Sequence, residues 1–571
     1  MVSRVLAGPE DHTSVDNNAS IDGVQVATSD VWDFVLPTPI EASPLFAGDP
    51  LDVEQLAGNL FHDKIKDNIL REYLATSSRK VVAAELNKVV HGFPSIFYAA
   101  ATNDDLILRT WIENGADVSA IHVPSGTPLL AFAIIHGERS RKDTTAILAT
   151  LLSLGASPLV IPVDLYTPYM RDLDEDKDSS QTTLSDEPLT AWCSNSARQK
   201  LVQNLNLVQR YYLERATKLK QPSIRLRQVA HWRKATPLLG IQYFLIGQTI
   251  ASNTLLTKLV GYLTLPTHKP LVLVFAGPSG HGKTELARQM GHLLSLPLHV
   301  VDCTTFTRTM ELFGPRHPYQ GAEDGSPLNN FLVKNAGKRS VVFLDEFEKT
   351  TKDIHQSLLV PFDNGQYEDR RSGTTIDSSK TIWILATNAL DKIITNFCDL
   401  PENAPVLSHD ESTEKKKLGK KLSKALRQAF LARFAVGLLP HAPVTGRITD
   451  FVPFLPFTTG EQAVITRKFL LDLQRLVCQP VVLSFEERHP LLGDIRLKIH
   501  HDGAVCRTLA EMEYDAELGS RSLAGAVKIV ENQLVTAYLD EEGQIAEAEG
   551  LSDYVVDERA GDVFAFKPVE C

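Results

Sequence analysis

The residues whose types and spacing carry the most chemistry are Gly277, Pro278, Ser279, Gly280, His281, Gly282, Lys283 and Thr284, a GxxxxGK[ST] run. Glycines here let consecutive backbone N–H groups turn inward around an anion, while the lysine supplies a cation and the threonine a metal ligand. The flanks make the pattern specific. Leu271 to Ala276 is an unbroken apolar run expected to form a buried parallel strand, and Glu285 to Leu294 has the periodicity of an amphipathic helix. A strand, a glycine loop and a helix N-terminus together make a phosphate cradle. The expected roles are charge neutralisation at the β- and γ-phosphates of ATP by Lys283 and Mg²⁺ ligation by Thr284. His281 reads as a solvent-facing loop residue.

A second buried strand, Ser340 to Leu344, ends in Asp345 and Glu346. Carboxylates at the C-terminal edge of a parallel sheet stand in the crevice where ligands bind. Asp345 is expected to hold Mg²⁺ through water, and Glu346 to polarise the attacking water as general base. A third strand, Thr381 to Ala386, leads to Asn388, whose amide can orient that water or touch the γ-phosphate.

These elements need a scaffold, and 571 residues is too long for one compact core. The formal charge of −12 argues against a general nucleic-acid or anionic-membrane binder. Six scattered cysteines form neither a CxxC pair nor a zinc pattern, so neither a disulfide framework nor a metal cluster is expected. No secretory signal or spanning segment is legible, and the acidic N-terminus lacks the Arg-rich character of a transit peptide. The expected location is cytoplasmic or nuclear, with mitochondrial disfavoured.

Residues 1–50 are acidic and rich in Ser, Asp, Gly and Pro, which predicts a disordered tail. Helical periodicity begins at residue 51, and residues 51–217 are expected to form a helical region. Within it, two similar units about residues 94–165 each end in a Gly-Ala turn, at Gly115 and Gly155. They resemble ankyrin repeats, with Thr127, Pro128 and Leu129 opening a helix and a glycine closing each outer helix. Segments 60–92 and 188–217 are expected to cap the stack, and the stretch from Arg171 to Glu187 reads as an acidic loop. A repeat stack of this kind is a binding surface without chemistry of its own.

Further residues extend the resemblance. Ile246, Gly247 and Gln248, the glycine loop followed by Glu285, Leu286 and Ala287, Leu344 to Lys349, and Asp363, Asn364 and Gly365 resemble the Clp/heat-shock group of AAA+ ATPases. Tyr514 to Leu523 is similar to that group's G-[AS]-R motif. The implied fold is multidomain: ankyrin-like helical repeats, an α/β P-loop AAA+ domain over 218–457, and a small α+β domain over 458–571. The resemblance also implies a sensor arginine, which falls on Arg521, and an arginine finger from a neighbouring subunit, for which Arg447 is favoured over Arg433. It implies a polypeptide-gripping pore loop, matched by Leu312 to Gly321 with Tyr319 as the aromatic, and here Pro318 replaces the usual glycine. The family's protease-docking tripeptide is missing, so no protease partner is expected. Lys415, Lys416, Lys417, Lys420 and Lys421 read as a solvated face.

The implied function is an ATP-dependent unfoldase or disaggregase acting on protein clients as a ring, a hexamer in the family pattern. The alternative is an ankyrin scaffold whose AAA+ module is an ATP-controlled assembly switch without translocation.

Overall fold

In the computed structural model, the described residues are 32–38, 42, 50–140, 142–174, 178, 188–266, 269–316, 318–403, 407, 412–434, 444–483, 491–541 and 550–568. None of the helices they form is long and apolar enough to cross a membrane.

The chain opens with helices, among them Ile96–Ala101 paired with Asp105–Glu113, and Leu129–Ser140 paired with Thr145–Leu154. Two short antiparallel hairpins precede these pairs: β1 (Val89–Val90) with β2 (Phe93–Pro94), and β3 (Ile121–His122) with β4 (Thr127–Pro128). Thr127 and Pro128 therefore close a hairpin and the helix starts one residue later, at Leu129. Proline tolerates this position because it is the terminal residue of a two-residue edge strand. The outer helices end as expected: Gly115 and Gly155 have φ of +107° and +110°, and a Cβ on Gly115 would sit 2.7 Å from that of Ala83. Only glycine reaches that conformation cheaply. Inside this helical region, Trp111 Nε1 donates to Ser95 Oγ at 3.1 Å, and Ser95 Oγ donates to the Leu86 carbonyl at 2.6 Å.

The segment Trp32 to Thr38, which composition assigns to a disordered tail, is packed against this helical region. Phe34 and Leu36 are buried in its core. Three alternating apolar side chains with a matching surface outweigh the polar composition of their neighbours. The rest of the predicted tail lies outside the described residues, apart from Ala42 and Pro50.

The middle of the chain is a parallel five-stranded sheet: β5 (Leu271–Ala276), β6 (Leu298–Asp302), β7 (Ser340–Asp345), β10 (Thr381–Thr387) and β11 (Asp450–Pro453), in the order β11-β5-β10-β7-β6. A small hairpin, β8 (Gln366–Glu368) with β9 (Thr375–Asp377), lies outside it. Strands β5, β7 and β10 are apolar on both faces because each face carries its own core. Leu271, Leu273, Phe275, Phe343 and Ile384 pack on one side, and Val272, Val274, Val342, Leu344 and Trp383 on the other. Strand β10 runs between β5 and β7, pairing Thr387 with Ala276 and Leu385 with Leu344. All three loops of interest therefore leave the same edge.

The last part combines helices Thr459–Val477, Asp502–Glu513 and Ser520–Leu539 with a sheet of β12 (Ile495–Ile499), β13 (Ser552–Arg559) and β14 (Asp562–Phe566). Its apolar core is continuous with that of the N-terminal helices rather than with the five-stranded sheet. A buried ion cluster joins them. Asp502 accepts from Arg210 Nη2 at 2.8 Å, Arg467 Nε at 3.2 Å and the Leu207 N–H at 2.7 Å, while Asp172 accepts from the N–H groups of Gly503 and Ala504 at 2.7 and 3.1 Å. Asp172 belongs to the predicted acidic loop; residues 175–177 and 179–187 of that loop lie outside the described residues.

Candidate nucleotide site

The glycine loop emerges from β5 and feeds the helix Lys283–Leu294. It lines a cavity of about 280 Å³ with Thr284, Glu285, Arg288, Asp345, Glu346, Thr387, Asn388, Ser520 and Arg521. Asp345 and Asn388 reach it because β7 and β10 end there. Ser520 and Arg521 arrive from the C-terminal helix.

Lys283 is buried, and its ammonium donates to the carbonyls of Gly277 and Pro278. Burial lowers its pKa to about 8, against the opposing pull of Asp391, Glu348 and Asp345. Thr284 Oγ1 donates to Asp345 Oδ2 at 3.1 Å, so the hydroxyl and carboxylate expected to share a metal are adjacent. Glu346 follows with φ of +49°, an uncommon conformation for a non-glycine residue. The N–H of Asn388 donates to Glu348 Oε1 at 3.1 Å, tying the end of β10 to the loop after β7.

Two carboxylate oxygens beside this site, Glu348 Oε2 and Asp391 Oδ1, are buried without a hydrogen-bond partner among the described residues. Burial raises the Asp391 carboxyl to about 6, Lys283 opposes this and Glu348 adds to it. Such a lysine–carboxylate set behaves as one coupled unit. It offers a polyphosphate a cation whose alternative partners are close by.

The loop is also closed from above. A Cβ on Gly280, whose φ is +70°, would lie 1.8 Å from the Leu518 carbonyl oxygen. His281 is not solvent-facing: it is 1% exposed, and its ring stacks on Phe457 with centroids 4.6 Å apart. Its Nδ1 lies 2.7 Å from the Ser279 carbonyl and its Nε2 lies 3.4 Å from the Tyr514 hydroxyl. Burial lowers the His281 pKa, which favours a neutral ring donating through Nδ1 to Ser279. The reason His281 is covered is tertiary, since the C-terminal part folds back over the loop.

The remaining expected residues stand elsewhere. Arg447 lies in the turn Thr445–Arg447 before β11, with Nη2 3.4 Å from Asp363 Oδ2. Arg433 is exposed near the end of the helix Ser412–Phe434, and residues 435–443 lie outside the described residues. Tyr319 is 65% exposed, at a loop tied to the β8–β9 hairpin by the Arg316–Glu368 ion pair at 2.8 Å; His317 of that loop lies outside the described residues. Of the lysine run, Lys415 is buried rather than solvated. Arg288, Ser520, Glu348 and Asp391 were missed. Arg288 was findable, because it stands four residues after Thr284 on the same helix face.

With this geometry established, residues 268–436 match the family described as "AAA domain (Cdc48 subfamily)". The chain carries an AAA domain and is an ATPase. This ATPase is 26% identical over 294 residues to "Chaperone protein ClpB" of Chlamydia muridarum (strain MoPn / Nigg), covering 50% of the chain and 29% of that protein. It is 28% identical over 285 residues to "Mitochondrial disaggregase" of Homo sapiens, covering 47% of the chain and 38% of that protein. The "Mitochondrial disaggregase" of Bos taurus matches at 28% as well, with 39% of its length covered. The ATPase thus spans less than two-fifths of the length of these curated relatives.

ATP fits the residues present. The glycine loop, the buried lysine and the N-terminus of the helix Lys283–Leu294 supply the donors a polyphosphate requires.

Proposed function

We propose that this ATPase remodels protein clients, using hydrolysis to unfold or disaggregate polypeptide as an oligomeric ring. The observation carrying the reading is the composition of the cavity wall. Residues of the five-stranded unit and residues of the C-terminal helix line it together, so a nucleotide in it bridges two separately cored parts. A bridging ligand that changes chemical state is a source of relative motion.

In this reading Lys283 and the loop N–H groups hold the phosphates, and Thr284 with Asp345 holds Mg²⁺. That donor set suits a cation that keeps several waters and takes the rest of its ligands from phosphate. Glu346 polarises the attacking water, Asn388 orients it, and Arg521 balances charge at the γ-phosphate. Arg447, lying away from its own cavity, acts as the finger toward a neighbouring subunit's site, with Arg433 the rival. The exposed Tyr319 grips the client, and the ankyrin-like helices select it.

The test is reactivation of a heat-aggregated client with ATP and Mg²⁺. Tyr319→Ala should abolish reactivation while retaining ATP hydrolysis. Full reactivation by that variant would sink the translocation reading and leave an ATP-controlled assembly switch.

A further inference from the structure

Trp32 sits among five aromatic rings, one from its own segment and four from two hairpins and two helices. Its centroid is 5.0 Å from Phe34, 4.9 Å from Phe93, 6.4 Å from Phe97, 4.6 Å from His122 and 5.7 Å from Phe132, the last a stacked pair. Phe93 and His122 belong to successive hairpins and are themselves stacked, with centroids 4.1 Å apart. The hairpins and the helices Ile96–Ala101 and Leu129–Ser140 thus build one aromatic seat.

The segment on that seat has the form of a bound peptide. Burial alternates along it: Phe34 and Leu36 are inside and Asp33 outside. Trp32 Nε1 donates to the Val35 carbonyl at 2.8 Å, and the Tyr98 hydroxyl donates to the Pro37 carbonyl at 3.2 Å. Lys200 pairs with Asp33 at 2.6 Å while lying 5.1 Å from the centroid of the Phe34 ring. Phe34 has a φ of +57°, a costly conformation that persists when its surroundings over-determine it. Aromatic anchors in a seat, with a charge clamp at the rim, are the anatomy of peptide recognition rather than of a core strand.

We propose that this seat is a receptor for a segment of another polypeptide that bends at its second aromatic, carrying aromatic side chains at positions i and i+2, an aliphatic at i+4 and an acidic residue between the aromatics. Residues 32–37 occupy it in cis, so such a partner binds by displacing them. Recognition at the seat specifies what the helical region selects, a point beyond the proposed function, and it needs no nucleotide. Its failure would therefore leave the ATPase reading intact.

The test uses the full chain without ATP and a fluorescent peptide with the sequence of residues 30–40, followed by polarisation. Wild type should bind weakly, because only the fraction of molecules with an open seat is competent. Asp33→Lys, which repels Lys200 without touching the aromatic seat, should bind at least about tenfold more tightly. Adding Phe93→Ala to Asp33→Lys should remove that gain, and a peptide with both aromatics changed to alanine should not bind. Thermal melting of each variant identifies any that fail to fold, and Trp32→Ala then replaces Asp33→Lys as the opened form. Equal affinity for wild type and a folded opened form would overturn the proposal. So would absence of peptide binding with concentration-dependent dimerisation in its place, which would assign the seat to exchange of residues 32–37 between copies.

Discussion

Ser520 donates twice to the Gly280 carbonyl, from its backbone N–H at 3.0 Å and its hydroxyl at 2.6 Å. The C-terminal helix is thereby fastened to the glycine loop it helps to close. Gly280→Ala cannot keep this arrangement, since the new methyl would overlap the Leu518 carbonyl and φ would remain positive. Nucleotide affinity should fall by at least about tenfold, with helix content by circular dichroism retained. Ser520→Ala removes only the hydroxyl bond and should cost about 1 kcal/mol of closure, read as a several-fold weaker binding of a fluorescent nucleotide.

The Lys283 pKa, lowered to about 8 by burial, makes nucleotide binding pH-dependent. Below pH 8 the ammonium is already charged; above it, a polyphosphate must draw in a proton. Affinity should therefore fall as pH rises from 7 to 9, and calorimetry in buffers of different ionisation enthalpy should register proton uptake at the upper end. Without nucleotide the sign is opposite. The folded state holds fewer protons on this lysine than the unfolded state between pH 8 and the ordinary value of 10.5, so Lys283's contribution to stability improves as pH rises through that window. Asp391→Asn removes a charge that supports the ammonium and should move the binding profile to lower pH.

Glu346→Gln should bind ATP with near wild-type affinity and lose hydrolysis by about 10²- to 10⁴-fold, measured as phosphate release. Comparable losses of affinity and turnover would instead mark Glu346 as a binding residue.

Asp502 joins the N-terminal helices to the C-terminal unit. Burial alone would raise its carboxyl, yet Arg210, Arg467 and the Leu207 N–H override this and hold it below the ordinary value of 3.8. Its stabilising contribution is present above that value and is lost as pH falls beneath it. Asp502→Asn leaves two buried guanidinium groups without their shared carboxylate and should cost about 3–5 kcal/mol in urea unfolding at pH 7. The amide oxygen of that variant can still accept a hydrogen bond, so Asp502→Ala should cost at least as much.

His281→Ala should weaken nucleotide binding without touching any expected phosphate donor, because the ring braces the loop between Ser279, Tyr514 and Phe457. His281→Phe keeps the stack on Phe457 but not the bond to Ser279, and should recover part of the loss.

The elements around Lys283, Asp345 and Asn388 are legible in the order of residues. Their signals are short-range: an apolar run long enough for one strand, glycines where the loop turns, and carboxylates or an amide directly after a strand. Backbone propensity and burial act over those few residues, so the pattern is readable there. The same holds for Gly115 and Gly155, whose left-handed turns follow from position alone. Folding in three dimensions was needed to run β10 between β5 and β7, which sets Asn388 between the glycine loop and Asp345. It was also needed for Ser520 to cap Gly280, for Asp502 to meet Arg210 nearly 300 residues away in sequence, and for Trp32 to find an aromatic seat. These depend on which surfaces meet after the elements form. Periodicity reports that a face is apolar or charged, but complementary shape and the desolvation of paired charges select its partner.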